Sequence, residues 1–425
     1  MVILLCSIMV VFLILGFPMF ASMIVAPLAM MLVYFSSLDL VLIIQQLIAG
    51  ISPFVLLAVP MFIFAADIMS MGHTSNRLVD LVQSFVGHIY GGLAITTVGA
   101  CTLFGAISGS TQATVIAIGK PMRDNLLRVG YRDSDVQGLI ISSANIALLI
   151  PPSIVMIMYC VVTGASVGEL FIAGIGPGLL LFASFAAYNY FHARKIDLPR
   201  KDKATWVERA KIFRKALLPL GFPTLIIGGI YTGIFSPTEA AAASVLYAFI
   251  VEVLIYRSVK ISDMYKLALS TGVVTALVFI LIASGQIFSW VITYARIPQL
   301  MTAALLGPAP SAIKILVLVT IFYFIGCMFV DQAVVIIILT PIFYPIAMKA
   351  GIDPIHLGII VTLQSAIGSV TPPFGCNIFT ACAVFNKPYI EVIKGLPPYV
   401  IIFGIISVLM IFFPEVALFF RNIAM

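Results

Sequence analysis

Two short polar stretches, Gly105-Ala106-Ile107-Ser108-Gly109-Ser110-Thr111-Gln112 and Gly326-Cys327-Met328-Phe329-Val330-Asp331-Gln332, each interrupt an apolar run and leave an apolar arm on either side. An arm of about a dozen helical residues, at about 1.5 Å each, covers about 20 Å, short of the about 30 Å hydrocarbon core of a bilayer. The spacing predicts two hairpins that enter a membrane, turn and leave by the same side. Non-helical backbone at that depth is tolerated only inside protein or beside a watery cavity. Both tips are therefore candidate sites.

That a membrane is the solvent follows from composition. With 62% apolar residues, 9% charged and a mean hydropathy of +1.18, the chain has too little polar surface for a soluble fold. The apolar runs are long and continuous rather than alternating over ten-residue segments, which excludes a β-barrel. The fold class is an all-α polytopic membrane protein. Met1 to Tyr34 has no basic leader and no small-residue cleavage site, so it reads as membrane helix rather than a removable signal. The six cysteines all lie in apolar runs without a CxxC pair, as small core residues would. There is no HExxH among the four histidines, so a zinc site is not expected. The net charge of +6 is matched by one segment, Arg194 to Lys215, with nine Lys/Arg against three acids. It is a topology signal, not a nucleic-acid surface.

Along the chain, residues 2–35 read as two apolar segments broken at Gly16-Phe17-Pro18, and one span then runs to about Met71. An amphipathic, interfacial piece follows from Thr74 to His88, with Leu78, Val79, Val82 and Phe85 at helical spacing. The first hairpin covers about 92–127. A broken helix at about 134–164 is interrupted at Ile150-Pro151-Pro152-Ser153, a span at about 167–192 follows, and 201–212 is a basic cytoplasmic loop. Then the order recurs. Gly105 matches Gly326, Gly130 matches Gly351, Pro151-Pro152 match Pro372-Pro373, Gly174 matches Gly395 and Pro177 matches Pro398, always at an offset of 221 residues. Residues 1–200 and 213–425 are therefore two structural repeats, the second with its hairpin at about 313–348 and its broken helix at about 355–386.

Loop charge orients them. Lys120 to Asp135 carries four Lys/Arg while its counterpart, Pro341 to His356, carries only Lys349. Conversely, Arg257, Lys260 and Lys266 occupy a position whose first-half counterpart has no basic residue. Equivalent loops lie on opposite sides, the mark of an inverted-topology repeat. The first hairpin is expected to open to the cytoplasm, the second to the outside, with both termini outside.

Inverted repeats with interrupted helices near the midplane are the architecture of secondary transporters, whose freed carbonyls and hydroxyls bind cations. Each proline removes a backbone donor and frees a carbonyl four residues back. Those carbonyls belong to Ala147 and Leu148 at the first break, and to Gly368 and Ser369 at the second. Sodium, a hard cation, prefers several neutral oxygens. Ser108, Ser110 and Thr111 with Ala147, and Ser365, Gly368, Ser369 and Thr371, make about two expected sodium sites. The bland role for these hydroxyls is to back-bond helix carbonyls or join helices. Ser108, Ser110, Asn145 and Asp331 are the candidate substrate contacts. Asp331 is an ionisable residue at membrane depth, expensive unless paired or wet. Asp67 and Glu239 are weaker cases; Glu239 follows Ser236-Pro237-Thr238 and equally suits a helix cap. Arg296 reads as interfacial.

The tip Phe104-Gly-Ala-Ile-Ser-Gly-Ser-Thr-Gln-Ala-Thr114, the break Ile150-Pro-Pro-Ser153, and the segments Phe235-Ser-Pro-Thr-Glu-Ala-Ala-Ala242 and Val370-Thr-Pro-Pro-Phe-Gly-Cys-Asn-Ile-Phe379 resemble the large membrane subunit of TRAP transporters, the tripartite ATP-independent periplasmic type. The resemblance spans essentially the full length. It implies an elevator-type transporter of the bacterial inner membrane, driven by a sodium gradient and taking up an organic acid delivered by a periplasmic substrate-binding protein. It also implies a small four-helix membrane subunit, expected here as a separate chain. Carried over by motif, Ser108, Ser110 and Asp331 fall where the family's ion and substrate sites lie, as do the Pro151 and Pro372 breaks. The scaffold would include 1–70 and 213–260, where the small subunit should pack; the transport domain would hold both hairpins and both broken helices. Among the family's substrates, C4-dicarboxylates, sialic acid and other sugar acids, the reading leans to sialic acid. The nearest rival is a stand-alone sodium/carboxylate symporter of the same fold. No enzyme is expected: an intramembrane protease would need GxGD or GxSG settings that are absent, and a channel would need a continuous polar pore.

Overall fold

Glycine, proline and a few capping side chains decide where the helices stop. In the computed structural model, which describes residues 1–199, 201–300 and 311–424, the helix Gly92–Ser108 ends because Gly109 turns left-handed at φ 57°. That conformation costs a residue bearing a Cβ about 1–2 kcal/mol. The Ser110 hydroxyl then accepts the Ala113 amide at 3.4 Å and starts the return arm, residues 111–129. In the second hairpin, Ala312–Phe329 and Gln332–Lys349, the cap is Asp331, whose carboxylate accepts the Ala333 amide at 2.9 Å. Ser110 and Asp331 stand 221 residues apart, so one cap position is polar in one repeat and acidic in the other.

These arms are longer than the dozen residues expected. Gly92–Ser108 has 17 residues and each arm of the second hairpin 18, enough by length and composition to cross a membrane in the latter case. The reason is that Gly105 and Gly326 do not break their helices. A Cβ on Gly105 would stand 2.6 Å from that of Ala147, so this glycine allows close approach and the interruption comes later, at the tip itself.

Each hairpin is followed by a broken helix. The first runs Asp133–Ala144, a 3-10 turn Asn145–Leu148, the cis pair Pro151-Pro152, and Ile154–Thr163. The second runs Pro354–Gly368, the cis pair Pro372-Pro373, and Cys376–Phe385. Long helices, Val167–Lys195 and Pro397–Phe412, complete the two units. Among the described residues there is no strand. The helices Met19–Tyr34, Val41–Ile51, Ala58–Met71 and Pro237–Phe249 pack around the 34-residue helix Ile261–Tyr294 or on one another, beside the hairpin bundle.

Two boundaries and one burial differ from the sequence reading. The single span ending near Met71 is two elements, Val41–Ile51 and 54–71, because Pro53 supplies no amide and turns extended at ψ 124°. The basic segment 201–212 is helical from Trp206, since Thr205 and Glu208 form a reciprocal capping box that starts Trp206–Tyr231. Cys6 is exposed, whereas Cys101, Cys160 and Cys327 are buried. The amphipathic piece is the helix Thr74–Val86, whose Leu78 and Leu81 are buried against Gly92–Ser108 and Trp206–Tyr231. Glu239 caps: its carboxylate accepts the Ser236 amide at 2.8 Å.

At the loop end of the bundle, Arg123 grips both oxygens of Asp133 at 2.8 Å, and Lys387 approaches the same carboxylate at 3.2 Å. The Arg123 guanidinium holds the Asp133 carboxyl down at about 2. A depressed carboxylate stabilises above its ordinary range, near 3.9, and the contribution is lost as pH falls through about 2. The pair is partly exposed, so Arg123→Gln is expected to cost about 1 kcal/mol at neutral pH. Thermal melts of both proteins should converge as pH drops from about 4 to about 2; a gap that persists at pH 2 would assign the loss to packing.

Candidate functional site

The two broken helices meet through a buried, uncharged network that neither repeat can make alone. Thr111, at the start of the first return arm, donates its hydroxyl to Asn377 Oδ1 at 2.9 Å. Asn377 in turn donates Nδ2 to Asn145 Oδ1 at 3.0 Å, and the Ser369 hydroxyl donates to the same oxygen. Asn145 donates its own amide to the Ile141 carbonyl at 2.8 Å. Thr111, Asn145, Ser369 and Asn377 are all buried. A 3-10 turn at Asn145–Leu148 and a helix end at Gly368 are what bring these side chains inward: both helices stop there for want of proline amides.

The hairpin tips close on the breaks. A Cβ at Gly109 would stand 2.5 Å from the Pro152 carbonyl oxygen, so only glycine lets the first tip reach the first break. At the second, the Phe374 amide donates to the Met328 carbonyl at 3.0 Å. Gly368 meets Cys327 as Ala147 meets Gly105: the same crossing is built twice.

Not every expected oxygen is equally placed. Ser108 sits inside its own tip, its hydroxyl 3.2 Å from both Thr114 Oγ1 and the Ser110 carbonyl. Ser365 and Thr371 donate to the Val361 and Ile367 carbonyls four residues back, and Ser365 Oγ also accepts from Cys327 Sγ at 3.8 Å; this is the bland role. At the first break, no hydrogen bond among the described residues reaches the Ala147 or Leu148 carbonyl. At the second, Gly368 accepts the Thr371 amide and Ser369 accepts the Asn377 amide, both at 3.1 Å. The freed carbonyls expected at both breaks are thus left open only at the first, because residues 371–377 fold back over the second. Among the described residues no group of His, Cys, Asp or Glu is arranged to hold a metal ion, so a cation here would have to be held by neutral oxygens.

Asp331 is exposed at its tip, with one carboxylate oxygen on the Ala333 amide. Asp67 is elsewhere, accepting the Thr271 hydroxyl at 2.9 Å, and Arg296 is exposed beyond the helix Ile261–Tyr294. Asn377 was not among the expected site residues. Its signal was an asparagine inside an apolar run, immediately past a proline break, where a polar side chain needs a partner.

Repeated hairpins and broken helices, with their interruptions joined by a buried neutral network, define a membrane transporter built on an inverted repeat. The chain belongs to the family of the Tripartite ATP-independent periplasmic transporter, DctM component, whose model matches residues 6–416. It is 54% identical to the ectoine/5-hydroxyectoine TRAP transporter large permease protein of Ruegeria pomeroyi, over 98% of this chain and 97% of that one. It is 53% identical to the ectoine TRAP transporter large permease protein of Halomonas elongata, over 98% of each. With the C4-dicarboxylate TRAP transporter large permease protein of Pseudomonas aeruginosa it shares 39% over 87% of this chain and 86% of that one. Among solved structures it resembles the YdaH transporter of Alcanivorax borkumensis at a TM-score of 0.64 and 15% identity, covering 88% and 87% of the two chains, a likeness of fold.

Proposed function

We propose that the chain is the large permease of a tripartite system that takes up a small carboxylate-bearing zwitterion of the ectoine type, coupled to sodium. The observation that carries a transport site is the Thr111–Asn377–Asn145–Ser369 network, which ties the two helix breaks across the repeats. The substrate class rests on the two ectoine permeases, more than half identical over nearly the whole chain; this replaces the leaning to sialic acid. Sodium coupling is supported by the open carbonyls of Ala147 and Leu148 beside the tip hydroxyls of Ser108, Ser110 and Thr111, a set of neutral oxygens that suits a hard cation. An elevator movement of the hairpin bundle along the scaffold, the inner-membrane location, the periplasmic binding protein and a small membrane subunit belong to the same reading. Family membership displaces the stand-alone symporter.

The test is uptake of labelled ectoine into proteoliposomes holding this chain and its small subunit. Uptake is expected only with a loaded ectoine-binding protein outside and an inward sodium gradient, and is expected to fall to background when potassium replaces sodium. Equal uptake without the binding protein would return the stand-alone symporter. Accumulation of succinate but not ectoine, each with its own verified binding protein, would overturn the substrate class.

A further inference from the structure

Beside the second tip runs a row of aromatic rings that the neutral network does not use. Phe329 ends the first arm of the second hairpin, and its ring centroid lies 5.9 Å from that of Phe374 in the second break. Phe374 stacks on Phe379 at 6.4 Å with the planes 18° apart, and Phe379 lies 5.8 Å from Tyr389. The Tyr389 hydroxyl donates to the Pro373 carbonyl at 2.9 Å, which fixes the far end of the row to the break. Phe329, Phe374 and Phe379 are 47%, 54% and 47% exposed, so each of the three residues in succession keeps about half of its surface open.

In a membrane an open aromatic usually meets lipid, but these surround backbone that cannot. Val330, Asp331, Pro373 and Phe374 are non-helical, and Asp331, Pro373 and Phe374 are exposed. Polar backbone and a carboxylate at hydrocarbon depth require a watery cavity or a protein surface. The exposed rings at this break therefore share their surface with exposed backbone and a carboxylate. Asp331 stands two residues from Phe329 with one oxygen on the Ala333 amide. Its other oxygen takes no hydrogen bond, and no ion pair reaches it, among the described residues. An unpaired carboxylate on the same tip as exposed rings offers the two elements that recognise a planar organic cation, charge to the carboxylate and plane to the rings. Asn377 lies between Phe374 and Phe379 in sequence, so one segment carries part of the row and a member of the network.

We infer that Phe329, Phe374 and Phe379, with Asp331, form a subsite for the delocalised cationic end of a zwitterionic solute. This rests on the ectoine-type reading above, since ectoine carries a ring amidinium as well as its carboxylate. A dicarboxylate has nothing to offer such a subsite.

The test is the concentration dependence of ectoine uptake in the same proteoliposomes. Phe374→Leu and Phe379→Leu keep an apolar side chain but remove the ring, and each is expected to raise KM about tenfold with little change in kcat. Phe374→Tyr is expected to restore it. Asp331→Asn keeps the helix cap, since asparagine caps as well as aspartate, and is expected to raise KM at least as much. Phe191→Leu, an exposed aromatic on the long helix Val167–Lys195, is expected to behave as wild type. Leucine variants with an unchanged KM, or a loss that tyrosine does not restore, would overturn the subsite while leaving the substrate reading intact. If the unaltered protein moves no ectoine with a verified binding protein, the substrate reading falls and the subsite with it.

Discussion

Asn145→Leu is expected to reduce uptake about a hundredfold and to lower the thermal midpoint of the purified protein. Asn145 Oδ1 accepts from two donors of the other repeat, the Ser369 hydroxyl and Asn377 Nδ2. Leucine is close in size but accepts nothing. Ser369 keeps the Ala366 carbonyl, at 2.9 Å, as an alternative acceptor, whereas among the described residues Asn377 Nδ2 has no acceptor besides Asn145. A buried donor left unpaired costs about 1–3 kcal/mol, while interhelical hydrogen bonds inside membranes average about 0.6 and reach about 1.7 kcal/mol. With two donors and one packing change the loss is about 2–3 kcal/mol, enough to shift the equilibrium between the two breaks' registers by a factor of about 30–140. A double-mutant cycle sharpens the test. In a network, Asn377→Leu added to Asn145→Leu should cost little more than either alone; independent contacts would add. Wild-type uptake by Asn145→Leu would show that the network is structural ornament to transport.

What could be read in advance was the punctuation. Gly109, Pro151-Pro152 and Pro372-Pro373 interrupt apolar runs, and the reason is local: a left-handed turn and missing amides need no tertiary context. The 221-residue offset carried the repeat for the same reason. The reading went astray at Gly105 and Gly326, which look like breaks but lie inside helices. Whether a glycine turns the chain or admits a neighbour depends on what packs against it, and Ala147 is distant in sequence. Thr111, Asn145 and Ser369 were singled out because polar residues at helix ends stand out in apolar sequence. Their partner Asn377 carries a local mark, an asparagine in an apolar run just past a proline break, but its pairing across more than two hundred residues does not show in the sequence. The aromatic row was invisible for a related reason: Phe329 and Phe374 are ordinary apolar residues until the second tip folds onto its break.

Gly368→Ala should be strongly damaging although it leaves the network's side chains untouched. Its Cβ would stand 2.3 Å from Cys327 Cβ and 2.8 Å from the Cys327 backbone carbonyl carbon, and neither can move by changing rotamer. The second hairpin must therefore shift away from its break, and the Met328 to Phe374 hydrogen bond that joins them goes with it. Overpacking of this kind costs about 1–3 kcal/mol, more where backbone meets backbone. Because the shift falls on the tip that carries Asp331, uptake should fall further than stability, about a hundredfold against a few degrees in thermal midpoint. Gly272→Ala, on the helix Ile261–Tyr294 with nothing within 4 Å of the added carbon, is the matched control and should be silent. Cys327→Gly removes the closest atom, so the double variant should recover part of the loss, but not the part owed to the backbone contact. Full activity in Gly368→Ala would mean that the second hairpin already stands clear of its break during transport. A tip that moves freely against the site would then replace the closed crossing as the working state of this half.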